Sequence, residues 1–206
     1  MTEISSQERD YLPGMGKHYL LPLYDVVHRV SALRGVHEQM IALAGLRDGH
    51  RLLDVGCGTG NLLRATGKRH RNVELFGLDP DLKMLARAER KFRRDGLTVR
   101  LDRGYAQELP YPDHSFDRVF SSLALHHLDT ASKDEMLAEV RRVLKPDGLL
   151  VLADAVLHDH KHEHLRDNVG DAVSKRIAAA GFTVEPTRMK KLRFFGEVGI
   201  EVARVH

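Results

Sequence analysis

The chain has 206 residues, 42% of them hydrophobic and 30% charged, which is enough for a single domain with its own core. No apolar run approaches the length of a membrane span, and the first residues lack the basic-then-apolar order of a signal peptide. A net charge of +3 and one cysteine exclude a disulfide-built fold and point to a reducing, cytoplasmic setting.

Residues 1–10 are polar and expected to be disordered. Residues 15–45 read as an N-terminal helical cap, with an apolar face supplied by Leu20, Leu21, Leu23, Val26, Val27 and Val30. This cap carries His18, Tyr19, Tyr24 and His37. On the residues alone, Tyr24 reads as a buried tyrosine that anchors the helix. Residues 46–206 should form the core.

Residues 52–60 read Leu-Leu-Asp-Val-Gly-Cys-Gly-Thr-Gly. An apolar run, an acid and glycines at every second position predict a strand that ends in a turn without side chains, where backbone N–H groups can approach a ligand. The dinucleotide fingerprint G-x-G-x-x-G fails here, because the position for its third glycine is Asn61. Asn61 to Arg71 can form a helix, and Val73 to Leu78 a second buried strand that ends in Asp79. An acid at that place in a Rossmann-like sheet accepts both hydroxyls of a ribose. The bland alternative is an N-cap before Pro80, Asp81 and a helix over Met84 to Arg94.

Farther along come the segment Gly104 to Asp117, a strand over Arg118 to Leu123, the pair His126-His127 and a helix over Lys133 to Leu144. The turn Leu144-Lys-Pro-Asp-Gly148 leads into a fifth strand, Leu149 to Val156. The alternating histidines from His158 to His164 could share one face of an extended strand, but they fall where a loop or helix start is expected, so no metal site is assigned. Phe182 to Met189 and Ile200 to Val205 should form the last two strands. The alternation predicts an α/β, Rossmann-like seven-stranded sheet, mostly parallel with one antiparallel strand and with helices on both faces.

The pattern Asp54-x-Gly56-x-Gly58-x-Gly60 resembles motif I of class I S-adenosylmethionine-dependent methyltransferases. Gly104 to Asp117 is similar to their segment G-D-A-x-x-L-P-F-x-D-x-S-F-D. Motif order and the Leu-Lys-Pro-Asp-Gly turn resemble the type 11 group, which includes the ubiquinone- and menaquinone-biosynthesis C-methyltransferases. The stretch from Tyr24-Asp25 to Gly35-Val36-His37 and the C-terminal Gly196 to Val202 are similar to those enzymes too. The resemblance implies S-adenosyl-L-methionine as cofactor. It implies a binding site of Asp54, Gly56, Cys57, Gly58, Gly60, Asp79, Pro80, Met84, Tyr105, Ala106 and Ser121, with Tyr24 from the cap that closes over the cofactor. Three departures stand out. Tyr105 occupies the place of an Asp that bonds the adenine amino group, His28 replaces an Asn, and the segment after the fifth strand is short.

The implied reaction is attack by a nucleophile on the methyl carbon of a sulfonium. The cofactor supplies the reactivity, while the protein supplies alignment and a dry pocket. A base is needed only where the nucleophile carries a proton of high pKa. His126 and His127, just after the fourth strand, are the candidate catalytic residues; the alternative is a turn pair packed on the next helix. Cys57 reads as a small turn residue rather than a nucleophile. The expected partner is a small-molecule acceptor. The basic runs Lys68 to Arg71, Arg90 to Arg94 and Lys190 to Arg193 permit peripheral membrane contact, although cations at helix ends suit the dipole alone. The end of the fourth strand, Ser121-Ser-Leu-Ala-Leu-His-His, lacks the Asn/Asp-Pro-Pro-aromatic loop of base-amino methyltransferases, so nucleic acid is not expected. A membrane-surface phospholipid methyltransferase and a non-catalytic cofactor-binding regulator are the competing functions.

Overall fold

The computed structural model describes residues 23–156, 171–192 and 196–205, with side chains from residue 33 onward. Residues 1–10, His18, Tyr19, the side chains of Tyr24 and His28, the histidines of 158–164 and Arg193 lie outside the described residues. Helix α1 (Leu23–Leu43) precedes β1 (Arg51–Val55), α2 (Asn61–Arg69), β2 (Glu74–Asp79), α3 (Leu82–Asp95) and β3 (Arg100–Arg103). Then follow β4 (Phe116–Ser122), a single 3₁₀ turn (Leu125–His127), α4 (Thr130–Val143) and β5 (Leu144–Val156). The chain closes with α5 (Ala172–Ala179), β6 (Thr183–Val184), β7 (Arg188–Leu192) and β8 (Gly196–Arg204).

The strands form one sheet in the order β3-β2-β1-β4-β5-β8-β6, with β7 also paired to β8. Strands β1 to β5 are parallel, and β8 runs antiparallel to β5, β6 and β7. The strand expected over Phe182 to Met189 is thus two pieces on either side of Pro186, which has no N–H to give to the ladder. Counted as one broken position, β6 and β7 complete the expected seven, with β8 as the reversed strand.

Both faces of the sheet are covered. Val36, Met40 and Ile41 of α1 pack with Leu62 and Leu63 of α2, Leu85 and Phe92 of α3, and Leu52, Phe120 and Val151 of the sheet. The alternate strand residues Leu53, Val119 and Leu150 face Met136, Leu137 and Val140 of α4 and Val173 and Ile177 of α5. Buried parallel strands read as unbroken apolar runs for this reason. Caps fix the crossover helices. Asp81 accepts from the N–H groups of Lys83 and Met84 at the start of α3, and Asp129 accepts from Ser132 at the start of α4. Helix α3 ends at Gly96, whose φ of +63° suits glycine.

Residues 104–117 have little regular structure and are pinned instead by Arg142 of α4. Its guanidinium donates to the carbonyls of Leu109 and Tyr111 at 3.0 and 2.8 Å and pairs with Asp113 and Glu139. Glu139 in turn accepts from Leu109 N–H at 2.8 Å. The segment is thereby carried back to β4 along α4, leaving Tyr105 and Ala106 beside the carboxyl end of β2.

Candidate active site

The carboxyl ends of β1, β2, β4 and β5 meet on one edge of the sheet, where ligands of open parallel sheets bind. After Val55 the chain turns back onto β2. The N–H groups of Gly56 and Cys57 both donate to Leu78 O, at 2.9 and 3.0 Å, and Gly60 N–H donates to Cys57 O at 2.9 Å. Gly56, Gly58 and Gly60 have φ of +74°, +52° and +72°, a region that L side chains reach only at a cost. Their side-chain directions differ. A Cβ on Gly56 would stand 2.6 Å from Ala124 Cβ, and one on Gly60 would run into the Phe92 ring. Among the described residues, a Cβ on Gly58 would meet no atom within 4 Å. Two of the glycines are therefore explained by packing, whereas the third faces open space.

Asp79 at the end of β2 holds this turn. Its Oδ2 accepts from Gly58 N–H at 2.8 Å and its Oδ1 from Asp81 N–H at 2.9 Å. It is not the cap of α3; that role belongs to Asp81. Each carboxylate oxygen has a second lone pair to offer. Burial pushes the Asp79 carboxyl above its ordinary range, against the opposing pull of the two N–H groups. Asp54 is 2% exposed, and burial, then the nearby Asp79, push its carboxyl well above the usual range. Asp54 Oδ1 and Ser121 Oγ are buried polar atoms without a hydrogen-bond partner among the described residues. Such atoms are rare unless a ligand or water meets them. They lie on neighbouring strands, with Asp54 in register with Phe120. An open cradle, a carboxylate with spare lone pairs and two orphaned polar atoms fit a polar nucleoside ligand such as S-adenosylmethionine.

The remaining residues of the implied cofactor site take lesser places. Cys57 is buried, and burial followed by the charges of Asp54 and Asp79 pushes its thiol far up, so it is no nucleophile. Pro80, Met84, Tyr105 and Ala106 are half-buried around the end of β2. The Tyr105 hydroxyl bonds to no described residue, while its carbonyl accepts from Glu108 N–H.

On the other side of the glycine turn, the chain leaves β4 through Leu123, whose φ is +55°, and enters the 3₁₀ turn. Here the two histidines lie with ring centroids 4.1 Å apart. A residue with no motif of its own organises them. Asp154, 2% exposed near the end of β5, accepts from the backbone N–H of His126 at 3.0 Å and from its Nδ1 at 2.6 Å. The one signal in the sequence is a lone acid in the apolar run of β5. Burial, then His126, lower the His127 pKa.

His37 of α1 reaches the same edge, with Nε2 3.3 Å from Ser122 Oγ. Burial lowers its pKa from 6.5 to about 4. A histidine kept neutral by the fold contributes stability that is full above pH 6.5 and is lost as the pH falls to about 4. The loss should approach about 3 kcal/mol. Urea melts between neutral pH and about pH 4 should show it, and His37→Gln should flatten the fall. Parallel losses in both proteins would place the acid sensitivity elsewhere.

Comparison with known proteins agrees with this geometry. Residues 52–148 match the family model described as methyltransferase domain, and residues 106–192 match a model of the anamorsin N-terminal region. Over 138 residues the chain is 37% identical to a demethylmenaquinone methyltransferase of Deinococcus radiodurans, covering 66% of this chain and 56% of that protein. Over 202 residues it is 28% identical to the ubiquinone/menaquinone biosynthesis C-methyltransferase UbiE of Cupriavidus necator, covering 89% of this chain and 82% of that one. The chain spans little more than half the length of the first curated relatives it matches. A solved S-adenosylmethionine-dependent methyltransferase from Aquifex aeolicus superposes with a TM-score of 0.69 at 23% identity, covering 82% of this chain and 89% of that chain. Phosphoethanolamine N-methyltransferase 2 of Haemonchus contortus, in complex with S-adenosylmethionine, gives 0.70 at 18% identity over 83% of this chain and 52% of that one. At such identities the superpositions speak for the fold, and the family match speaks for the domain. The turn on β2, the acid that holds it and the family match converge: residues 52–148 match a methyltransferase domain, on the fold shared with solved S-adenosylmethionine-dependent methyltransferases.

Proposed function

We propose that the protein transfers the methyl group of S-adenosylmethionine to a small-molecule acceptor of quinone-like, ring-hydroxylated chemistry. The observation that carries the cofactor half is Gly58, whose side-chain direction is empty at a φ of +52° while its N–H is held by Asp79. Asp54, Gly56, Cys57, Gly60, Pro80, Met84, Ala106 and Ser121 would line the cofactor site, with the Tyr105 hydroxyl free to meet the adenine. Tyr24 would add a contact from α1. The acceptor would approach from the side of His126 and His127. When bound, the cofactor supplies a methyl group on a cationic sulfur; the chain's residues bind it, orient it and exclude water. Similarity to menaquinone and ubiquinone methyltransferases supports the quinone-like acceptor. Calorimetry with S-adenosylhomocysteine tests the cofactor site, and its release during incubation with quinols, phenols, amines and phospholipids tests the acceptor. Cofactor binding without turnover on any of them would favour a non-catalytic regulator.

One surface favours work at a membrane. Lys83, Arg87, Arg90 and Arg94 recur at helical spacing along α3 and are exposed, and Leu82 at its start is 58% exposed. Among the described residues, Lys83, Arg87 and Arg90 form no ion pair. Like charges four apart cost a helix a few tenths of a kcal/mol, so the stripe suits an anionic partner. At roughly 1 kcal/mol per cation near an anionic leaflet, four cations raise partitioning on the order of a thousandfold. Flotation should recover the protein with phosphatidylglycerol vesicles and leave it behind with phosphatidylcholine. Arg87→Glu with Arg90→Glu should abolish recovery, and equal recovery with both lipids would remove this surface from the reading. No described helix is long and apolar enough to cross a membrane.

A further inference from the structure

The pairing of Asp154 with His126 has no place in cofactor binding. A buried carboxylate spends both oxygens on one residue, fixing its backbone through Oδ2 and its ring through Oδ1. A third donor, Ala155 N–H at 2.7 Å, locks the carboxylate itself. An ionised carboxylate only accepts, so this pairing puts a proton on Nδ1, and in the neutral ring Nε2 presents a lone pair. No described residue bonds Nε2, and the His126 side chain retains 22% exposure. His126 follows β4, so this proton acceptor lies by the edge of the sheet where β4 and β5 end. The His127 ring lies beside it, tilted at 43° with centroids 4.1 Å apart.

We propose that Asp154 and His126 form a positioned general base, and that the methyl acceptor is accordingly a nucleophile that must give up a proton, a phenol or quinol, rather than a thioether or tertiary amine. The inference rests on the proposed methyl transfer and deepens it by naming the pair that takes the acceptor's proton. His126 Nε2 takes the hydroxyl proton as the acceptor's electron pair forms the new bond to the methyl carbon, at oxygen or at the ring carbon conjugated to it. The carbon–sulfur bond breaks with its electron pair retained on sulfur, which becomes a neutral thioether. The imidazolium then releases its proton to water. Methylation at the ring carbon leaves a dienone; loss of that carbon's proton to solvent restores the aromatic ring as a phenolate, whose oxygen takes back one proton from water, so that one proton is released overall. His126 is the catalytic residue in this scheme and Asp154 the positioning residue, since it acts only through the ring it orients.

The experiment has a spectroscopic arm and a kinetic arm, both on the full chain saturated with S-adenosylhomocysteine or S-adenosylmethionine. In ¹⁵N NMR of histidine-labelled protein, neutral His126 should carry its proton on Nδ1. In Asp154→Asn the amide can donate to Nδ1 and should move the proton to Nε2, while Asp154→Glu should keep it on Nδ1 in part. With naphthohydroquinone as acceptor, Asp154→Asn should lower kcat about a hundredfold to ten-thousandfold, the span of general-base catalysis, with KM and S-adenosylhomocysteine affinity unchanged. Asp154→Glu should recover part of kcat, and dimethyl sulfide should not be methylated. A wild-type ring protonated on Nε2, equal kcat in Asp154→Asn, comparable methylation of dimethyl sulfide, or no transfer to the quinol would each overturn the proposal. Should Asp154→Asn fail to fold, His126→Gln takes its place in the kinetic arm. Failure of S-adenosylhomocysteine to bind the wild type would instead sink the methyl-transfer reading itself, so the two failures are told apart.

Discussion

Gly58→Val should abolish the stabilisation that S-adenosylhomocysteine gives to the wild type while leaving a folded protein. A Cβ at this position meets no atom of the described residues within 4 Å, so lost affinity is not expected from a Cβ clash inside the fold. Its cost to the apo protein is conformational. A β-branched residue at a φ of +52° is strained by about 1–2 kcal/mol, which a domain of this size should survive. At ligand a hundredfold above Kd, the wild type gains about 2.7 kcal/mol, and this should raise its melting temperature by several degrees. The variant should gain nothing. Gly56 and Gly60 make poor probes, because substituents there would press on Ala124 or Phe92 and would disturb packing whether or not a ligand binds. Equal ligand-induced shifts in wild type and Gly58→Val would move the cofactor elsewhere.

The parts legible in the sequence are those whose pattern is set by local rules. The strand and turn of 51–60 stand out because three residues with positive φ must be glycine and the strand before them is buried on both faces. The cap at Asp81 and the stop at Gly96 follow from rules that act within one helical turn. Strand β3 was counted among the seven but not placed. Its residues Arg100-Leu-Asp-Arg103 sit at the sheet's edge, half-buried or exposed, so they lack the apolar run by which β1, β2 and β4 are recognised. Strand β5 begins at Leu144 rather than at Leu149, because the Lys-Pro-Asp-Gly turn is a break in its pairing with β4, where Phe116 meets Leu144 and Arg118 meets Leu149. The candidate site divides in the same way. Asp79 was legible from its place at the end of a strand. Asp154 was not, because its partner His126 lies 28 residues away and only the pairing of β4 with β5 brings them together. Tertiary contacts of that kind leave no local pattern to read.

Asp79→Ala should weaken S-adenosylhomocysteine binding roughly thirtyfold to a hundredfold, about 2–3 kcal/mol. Two losses combine in that figure. On the proposed reading the ribose hydroxyls would lose a charged acceptor, and Gly58 N–H would lose the bond that shapes the turn. Asp79→Asn should rescue little. One of its two terminal atoms is an NH₂, and in either orientation that group faces an N–H, from Gly58 or from Asp81, where an acceptor is required. Asp81→Ala separates the ligand site from the helix it adjoins. It removes the cap on Lys83 and Met84, worth about 1 kcal/mol of stability, yet leaves the backbone N–H that Asp79 uses, so affinity should stay within about twofold of wild type, less than 0.5 kcal/mol. Titration calorimetry on the three variants, each with a melt of the apo protein, reads stability and affinity apart. If Asp79→Ala binds like the wild type, or if Asp81→Ala loses as much affinity as Asp79→Ala, then the acid at the end of β2 is a structural clamp and the nucleoside is held by other groups.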